Sequence, residues 1–205
     1  MGVYFDRSSG ITFDGNVVID FAEHGIWAKG SNTLTITNNW IIRVIPQDFY
    51  FETGPKVFEY TGWTGCVTIS DQGGQSNSKL VVTDNVAAAC WHHGFHYQPL
   101  DCDEVVDANT HTRFEGNVAH SISGYGAIAA NVAGNPSCTE VLDFTAYKCT
   151  ESSIHLGGNS DINRARDIVS IDCGRGIGIH GSGCGDVEVI DCDIYGENRL
   201  NYDCP

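Results

Sequence analysis

Apolar residues alternate with polar or small ones inside short runs of this chain, and the runs return at intervals of about 23 residues or a little more. Ile11-Thr12-Phe13-Asp14-Gly15-Asn16 comes back as Leu34-Thr35-Ile36-Thr37-Asn38-Asn39, as Leu80-Val81-Val82-Thr83-Asp84-Asn85 and, more loosely, as Thr112-Arg113-Phe114-Glu115-Gly116-Asn117. A period of two is that of a strand, whose successive side chains point to opposite faces. Self-similarity over 20 to 30 residues marks a stack in which each repeat buries its apolar face against its neighbours. The pattern predicts an all-β fold, a right-handed parallel β-helix, running as one segment from residue 1 to 205.

A second register lies nine residues beyond the asparagine, where Gly25, Gly94 and Gly126 each open another strand. These strands read Ile26-Trp27-Ala28, Phe95-His96-Tyr97 and Ala127-Ile128-Ala129, followed by Ile154-His155-Leu156 and Ile177-Gly178-Ile179. Their outer positions are apolar and are expected inside. The middle positions, Trp27, His96, Ile128, His155 and Gly178, are expected to face solvent.

Asn16, Asn39, Asn85 and Asn117 fall at equivalent corners. Stacked asparagines can hydrogen-bond amide to amide along the axis and satisfy a polar corner that is otherwise buried. The competing reading is that asparagine merely tolerates a left-handed turn. Toward the C-terminus Cys149, Cys173 and Cys192, spaced 24 and 19 residues apart, are expected to take over the corner. Prolines and paired glycines interrupt the rhythm near 45–79, and an acidic stretch does so at 99–111, so irregular excursions are expected there. No 11-residue window carries a 3.6-residue apolar period, which predicts essentially no helix.

The residues Asp84-Asn85-Val86-Ala87-Ala88 leading to His93-Gly94-Phe95-His96, and Phe114-Glu115-Gly116-Asn117-Val118-Ala119-His120-Ser121 leading to Gly124-Tyr125-Gly126, carry a resemblance. They resemble the β-helix of fibrocystin-like proteins, a family that also includes cell-surface relatives that degrade or bind hyaluronan. The resemblance covers residues 10–130 best. It implies a large extracellular protein, often membrane-anchored or associated with cilia, in which the β-helix is one module. No catalytic motif of the hyaluronan-degrading relatives matches positions here, so no catalytic residue is carried over.

Charge narrows the partners. Twenty-six acidic against 11 basic residues give a net charge of −15, which repels nucleic acid and anionic membranes. No apolar run is long enough to span a bilayer, so no direct membrane insertion is expected, and the first residues lack a signal peptide's basic and apolar regions. Nine cysteines, without paired zinc-finger spacings, favour an oxidising, extracellular or cell-surface setting. Their odd number leaves at least one thiol free or bonded outside the chain.

Candidate chemistry is sparse. Asp101, Asp103, Glu104 and Asp107 crowd the loop around Cys102, and hard carboxylate oxygens suit calcium, although the residue order of an EF-hand is missing. A Cys90–Cys102 disulfide could tie that loop down. His92, His93 and His96 form the densest imidazole cluster, with His92 and His93 expected to point apart. Asp172 and Asp191 both precede a corner cysteine; on successive coils they would lie about 4.8 Å apart, near the spacing of a retaining glycosidase's carboxyls. Trp27 adds an aromatic platform for a glycan or protein partner. The competing reading of these acids is a solvated polar face.

Three functions follow in order. The first is a non-catalytic extracellular or cell-surface module for adhesion, receptor or matrix contacts, with a protein or glycan partner and no cofactor apart from calcium. The second is a structural subunit of an extracellular or flagellar-surface filament, copies of the chain stacking end to end. The third is a glycan-active enzyme.

Overall fold

The computed structural model describes residues 1–46, 64–70, 78–97, 113–130, 138–157, 162–180 and 186–196. Within them there is no helix, and every strand pairing is parallel. Among the described residues the chain passes through sheets 1 and 3 on each of seven coils and through sheet 2 on the first four.

Sheet 1 is built from β1 (Val3–Asp6), β4 (His24–Lys29), β7 (Gly65–Ser70), β10 (His93–Tyr97), β13 (Tyr125–Ala130), β15 (Ser152–Gly157) and β17 (Arg175–His180), neighbours in that order. Sheet 2 holds β2 (Ser9–Asp14), β5 (Asn32–Thr37), β8 (Ser78–Thr83) and β11 (Arg113–Glu115). Sheet 3 holds β3 (Val17–Ala22), β6 (Trp40–Ile45), β9 (Val86–Ala88), β12 (Asn117–His120), β14 (Cys138–Tyr147), β16 (Ile162–Ile171) and β18 (Asp186–Ile190), with β19 (Asp193–Tyr195) beside β16. Strand β7 sits in register between β4 and β10, so the interruption expected at 45–79 contains an ordinary strand; its remainder, 47–63 and 71–77, lies outside the described residues. So does the whole of 99–111.

Two columns of left-handed residues frame sheet 3. Gly15, Asn38, Asp84, Gly116, Asp143, Asp167 and Asp191, one per coil, all have φ between 45° and 68°. Five residues on, Asp20, Arg43, Ala89, Ser121, Lys148 and Asp172 do the same, with φ between 51° and 63°. Glycine, asparagine and aspartate are the residues that visit this region at least cost. Each pair of corners brackets a four-residue strand segment in which alternate side chains enter the core.

The first corner is the asparagine ladder. Asn39 Oδ1 accepts from the Asn16 backbone and amide at 2.9 and 3.1 Å; Asn85 Oδ1 accepts from both Asn39 donors at 3.0 Å; Asn117 Oδ1 accepts from both Asn85 donors at 3.1 and 3.0 Å. Asn39, Asn85 and Asn117 are fully buried. The amides therefore replace water as partners for backbone groups that the turn leaves unpaired.

Cysteine does not inherit this corner as a set. The pairing of β14 with β16, and of β16 with β18 and β19, keeps a constant 24-residue offset. That offset places Cys192 over Ile168 and Phe144, in the column that the asparagines Asn16 to Asn117 occupy in the first four coils. Cys149 and Cys173 instead stack at the second corner, beyond Val44, Cys90 and Ile122. The 19-residue step from Cys173 to Cys192 departs from the period and moves the latter to the other side of the sheet.

The interior is filled by Ile26, Leu34, Ile36, Ile41, Phe95, Phe144, Ile154, Leu156 and Ile168, all essentially inaccessible. Each such side chain contributes about 1.5–3 kcal/mol by burial. The glycines that open sheet 1 strands permit close approach: a Cβ on Gly94 or Gly126 would press on the carbonyl oxygen of the next coil. Cys66 occupies this column in the third coil and bonds to Cys90 at the coil's end, so the disulfide closes one coil upon itself. Cys90 is thereby paired with Cys66, not with Cys102.

Candidate functional site

Three places on this frame gather chemistry: the outer side of sheet 1, the second corner of the last coils and the outer face of sheet 3.

On sheet 1, His24, Gly65, His93 and Tyr125 lie in one row. Gly65 has no side chain, and the ring of His93 occupies the space where a Cβ would stand. A hydrogen-bonded line results. His24 Nδ1 and Thr68 Oγ1 are 2.9 Å apart, Thr68 Oγ1 and His93 Nε2 are 2.9 Å apart, and His93 Nδ1 and His92 Nδ1 are 3.1 Å apart. Each neutral imidazole carries one N–H, so the line has one donor direction at a time, from His24 to His92 or the reverse. His96 lies edge-on to His93 at 5.4 Å between ring centres.

Burial depresses all four imidazoles. It lowers His24 to about 4, with the N-terminal ammonium adding to it, and His96 to about 4, with the His92 and His24 charges adding to it. His93 is pushed well below 6.5 by burial and by its three histidine neighbours. His92 is lowered by burial against the opposing pull of Glu151. The cluster is neutral at neutral pH.

His96 corrects an expectation: its side chain points outward by alternation, yet it is only 3% exposed, and Ile128 beside it only 6%. Thr68, in the same row, is equally covered. The outward row of sheet 1 is thus buried over three coils, whereas Trp27, His155 and Gly178 are half-buried. Trp27 packs on Tyr4 and His24, with ring centres 4.9 and 5.1 Å apart. His92 and His93 are brought together rather than apart. His24 joins them because it precedes Gly25 as His93 precedes Gly94; the glycine register already carried that signal. No group of three or more metal-ligating side chains converges among the described residues.

At the second corner the Cys149 thiol hydrogen-bonds to Cys173. That bond, more than burial, raises Cys149 and holds Cys173 down at about 6. Both are free thiols, as is Cys192. On β16, ahead of the first corner, Arg164 bridges the two flanking coils: its Nε donates to Glu188 at 2.6 Å and its guanidinium lies 3.7 Å from buried Glu140, which Arg166 also meets at 3.2 Å.

The proposed carboxylate pair is not assembled. Asp191 stacks on Asp167 and Asp143 at the first corner, whereas Asp172 stacks on Lys148 at the second. Their common feature is positive φ, which aspartate tolerates, and it accounts for their recurrence. Asp101, Asp103, Glu104 and Asp107 lie outside the described residues.

Between the two corners the outer face of sheet 3 consists of two rows. One runs Val17, Trp40, Val86, Val118, Thr145, Val169, Asp193, and the other Ile19, Ile42, Ala88, His120, Tyr147, Ile171, Tyr195. A chain of net charge −15 thus presents a strip with a single carboxylate, at its end, and neither lysine nor arginine. Val17 is 63% exposed, Trp40 55% and Tyr195 57%. The rings of His120 and Tyr147 stack 4.7 Å apart and 2° from parallel, so their edges stand away from the sheet.

No family model, curated protein or solved structure matches the chain.

Proposed function

We propose that the chain is a segment of right-handed parallel β-helix serving as a non-catalytic extracellular or cell-surface module that makes adhesion, receptor or matrix contacts through its long side. Parallel sheets revisited coil after coil, three in rotation over the first four coils, support the β-helix, and crossover connections between parallel strands are right-handed in nearly all folds. The Cys66–Cys90 disulfide fits an oxidising compartment. The resemblance to fibrocystin-like repeats agrees with that setting.

The uncharged strip on sheet 3 carries the functional reading. Solvated sheet faces alternate polar residues outward, whereas a sheet apolar on both faces is normally covered on both. Contiguous exposed apolar patches beyond a few hundred Å² mark interaction sites. The test is retention of the chain on matrix or cell-surface preparations, compared with Val118→Glu, which puts a charge at the centre of the strip. Loss of retention with an unchanged β spectrum is expected. Equal retention of the variant would overturn the reading.

A filament is the second reading, and the seventh coil favours it. Ile179, Val189 and Ile194 take core-facing positions equivalent to buried Leu156, Ala165 and Ala146, yet they are 41%, 50% and 53% exposed. A further coil stacked on this end would cover them. Elongated particles by electron microscopy, absent in Val189→Glu, would establish that reading.

A further inference from the structure

We propose that the strip on sheet 3 is a self-association surface, on which two copies of the chain pack face to face about a two-fold axis parallel to the stack. This rests on the long-side reading above and names the partner.

Three observations lead to it. The first is area. The 14 side chains of the strip together expose on the order of 800 Å², the contribution of one partner to an interface of standard size. The second is relief. Strand spacing sets ridges about 4.8 Å apart along the strip, and the stacked His120 and Tyr147 rings extend those ridges outward. Grooves of the same pitch are needed to receive them, and another copy supplies that pitch automatically.

The third is charge, which chooses the symmetry. The border along the first corner carries Asp84, Asp143, Asp167 and Asp191; the border along the second carries Arg43 and Lys148 together with Asp172 and with Asp20, which pairs with Arg43. An axis parallel to the stack lays unlike borders against each other, coil for coil. Asp143 then faces Lys148 of the other copy, twice per dimer, and Asn38 faces Arg43. The unfavourable meeting is Asp167 with Asp172, also twice per dimer. An axis across the stack would instead set Asp84 against Asp143, leave Lys148 facing Ala89 and give Asp172 only an Arg43 that Asp20 already holds. The Asp143–Lys148 meeting is what distinguishes the two orientations.

Sedimentation of the full chain tests this. The expected result is a reversible dimer at micromolar concentration and a monomeric Val118→Glu with unchanged circular dichroism and melting. Lys148→Glu should weaken the dimer about fivefold at low salt, and adding Asp143→Lys to it should restore the affinity, because the exchanged charges still face each other across a parallel axis. Lys148 itself holds a left-handed φ, so lysine is tolerated at such a corner. A chain monomeric to about 1 mM, a Val118→Glu that dimerises normally, or a charge exchange without recovery would each overturn the proposal. A monomer that still needs Val118 for matrix retention would overturn the dimer and leave the long-side reading intact. A face-dependent dimer whose matrix retention ignores Val118→Glu would do the opposite.

Discussion

Replacing Asn85 by alanine isolates the ladder. Asn85 Oδ1 is the acceptor for the backbone N–H and the amide of Asn39, each at 3.0 Å, and its own amide donates to Ile36 O, Thr83 O and Asn117 Oδ1 at 2.9 to 3.0 Å. Losing the side chain costs little at Asn117, whose Oδ1 keeps the Asn85 backbone donor, and little at the Asn39 amide, which keeps Phe13 O. The buried Asn39 backbone N–H loses its acceptor. One orphaned buried group costs about 1–3 kcal/mol, and with the remaining lost bonds the expected destabilisation is about 3 kcal/mol. Asn16→Ala is the internal control, because Asn39 Oδ1 retains the Asn16 backbone donor; its cost should stay below about 1 kcal/mol. Asn85→Asp should be worse than alanine, since a buried carboxylate would face three oxygens. Urea unfolding with an unchanged m-value provides the comparison. If Asn85→Ala falls within about 0.5 kcal/mol of the parent, the ladder is not a source of stability and the corner is held by turn preference alone.

Acid should weaken the fold through the histidines. Their folded pKa values lie below 6.5, so the unfolded chain takes up protons first: stability is complete above about pH 6.5 and declines as pH falls toward 4, by up to about 3 kcal/mol for His96. The urea midpoint should therefore drop between pH 6.5 and 5, less so in His96→Gln, and a flat profile would contradict the cluster. At pH 7, iodoacetamide should modify Cys173 before Cys149, because one is held near 6 and the other is raised and buried; peptide mapping that finds Cys149 first would reverse the assigned hydrogen bond. Arg164→Ala should cost about 3 kcal/mol by stranding buried Glu140, with Arg164→Met costing less, since a flexible apolar chain refills the space. Equal midpoints for the parent and Arg164→Ala would show that Arg166 alone satisfies Glu140.

The asparagine corner was legible because its side chains recur in one register and the strands between them have a fixed length. Cys149 and Cys173 leave that corner while Cys192 keeps it, because the 24-residue offset of continuous backbone pairing outranks identity of residue type. The charge of Asp172 and Asp191 drew attention to chemistry, while their backbone conformation explains their recurrence. His96 was expected in water because alternation fixes which way a side chain points, not what covers it. The strip on sheet 3 was present as the unbroken apolar runs Val17-Val18-Ile19 and Trp40-Ile41-Ile42, whose outward members alternation alone assigns to solvent. What joined His24 to His93 was a long-range register that the glycine repeat had already defined.

The Cys66–Cys90 bond has a mechanical consequence. Interstrand hydrogen bonds lie along the stack, so tension applied between the two ends would load them in series and peel coils away one after another. A freed coil of 24 residues lengthens the chain by about 80 Å. The third coil is a closed covalent ring with a sequence separation of 24 between its sulfurs, so it cannot pay out its length. Under load the oxidised chain would extend about 80 Å less than the reduced one, and the coil nearest the histidine cluster would act as a fixed collar around which the others open.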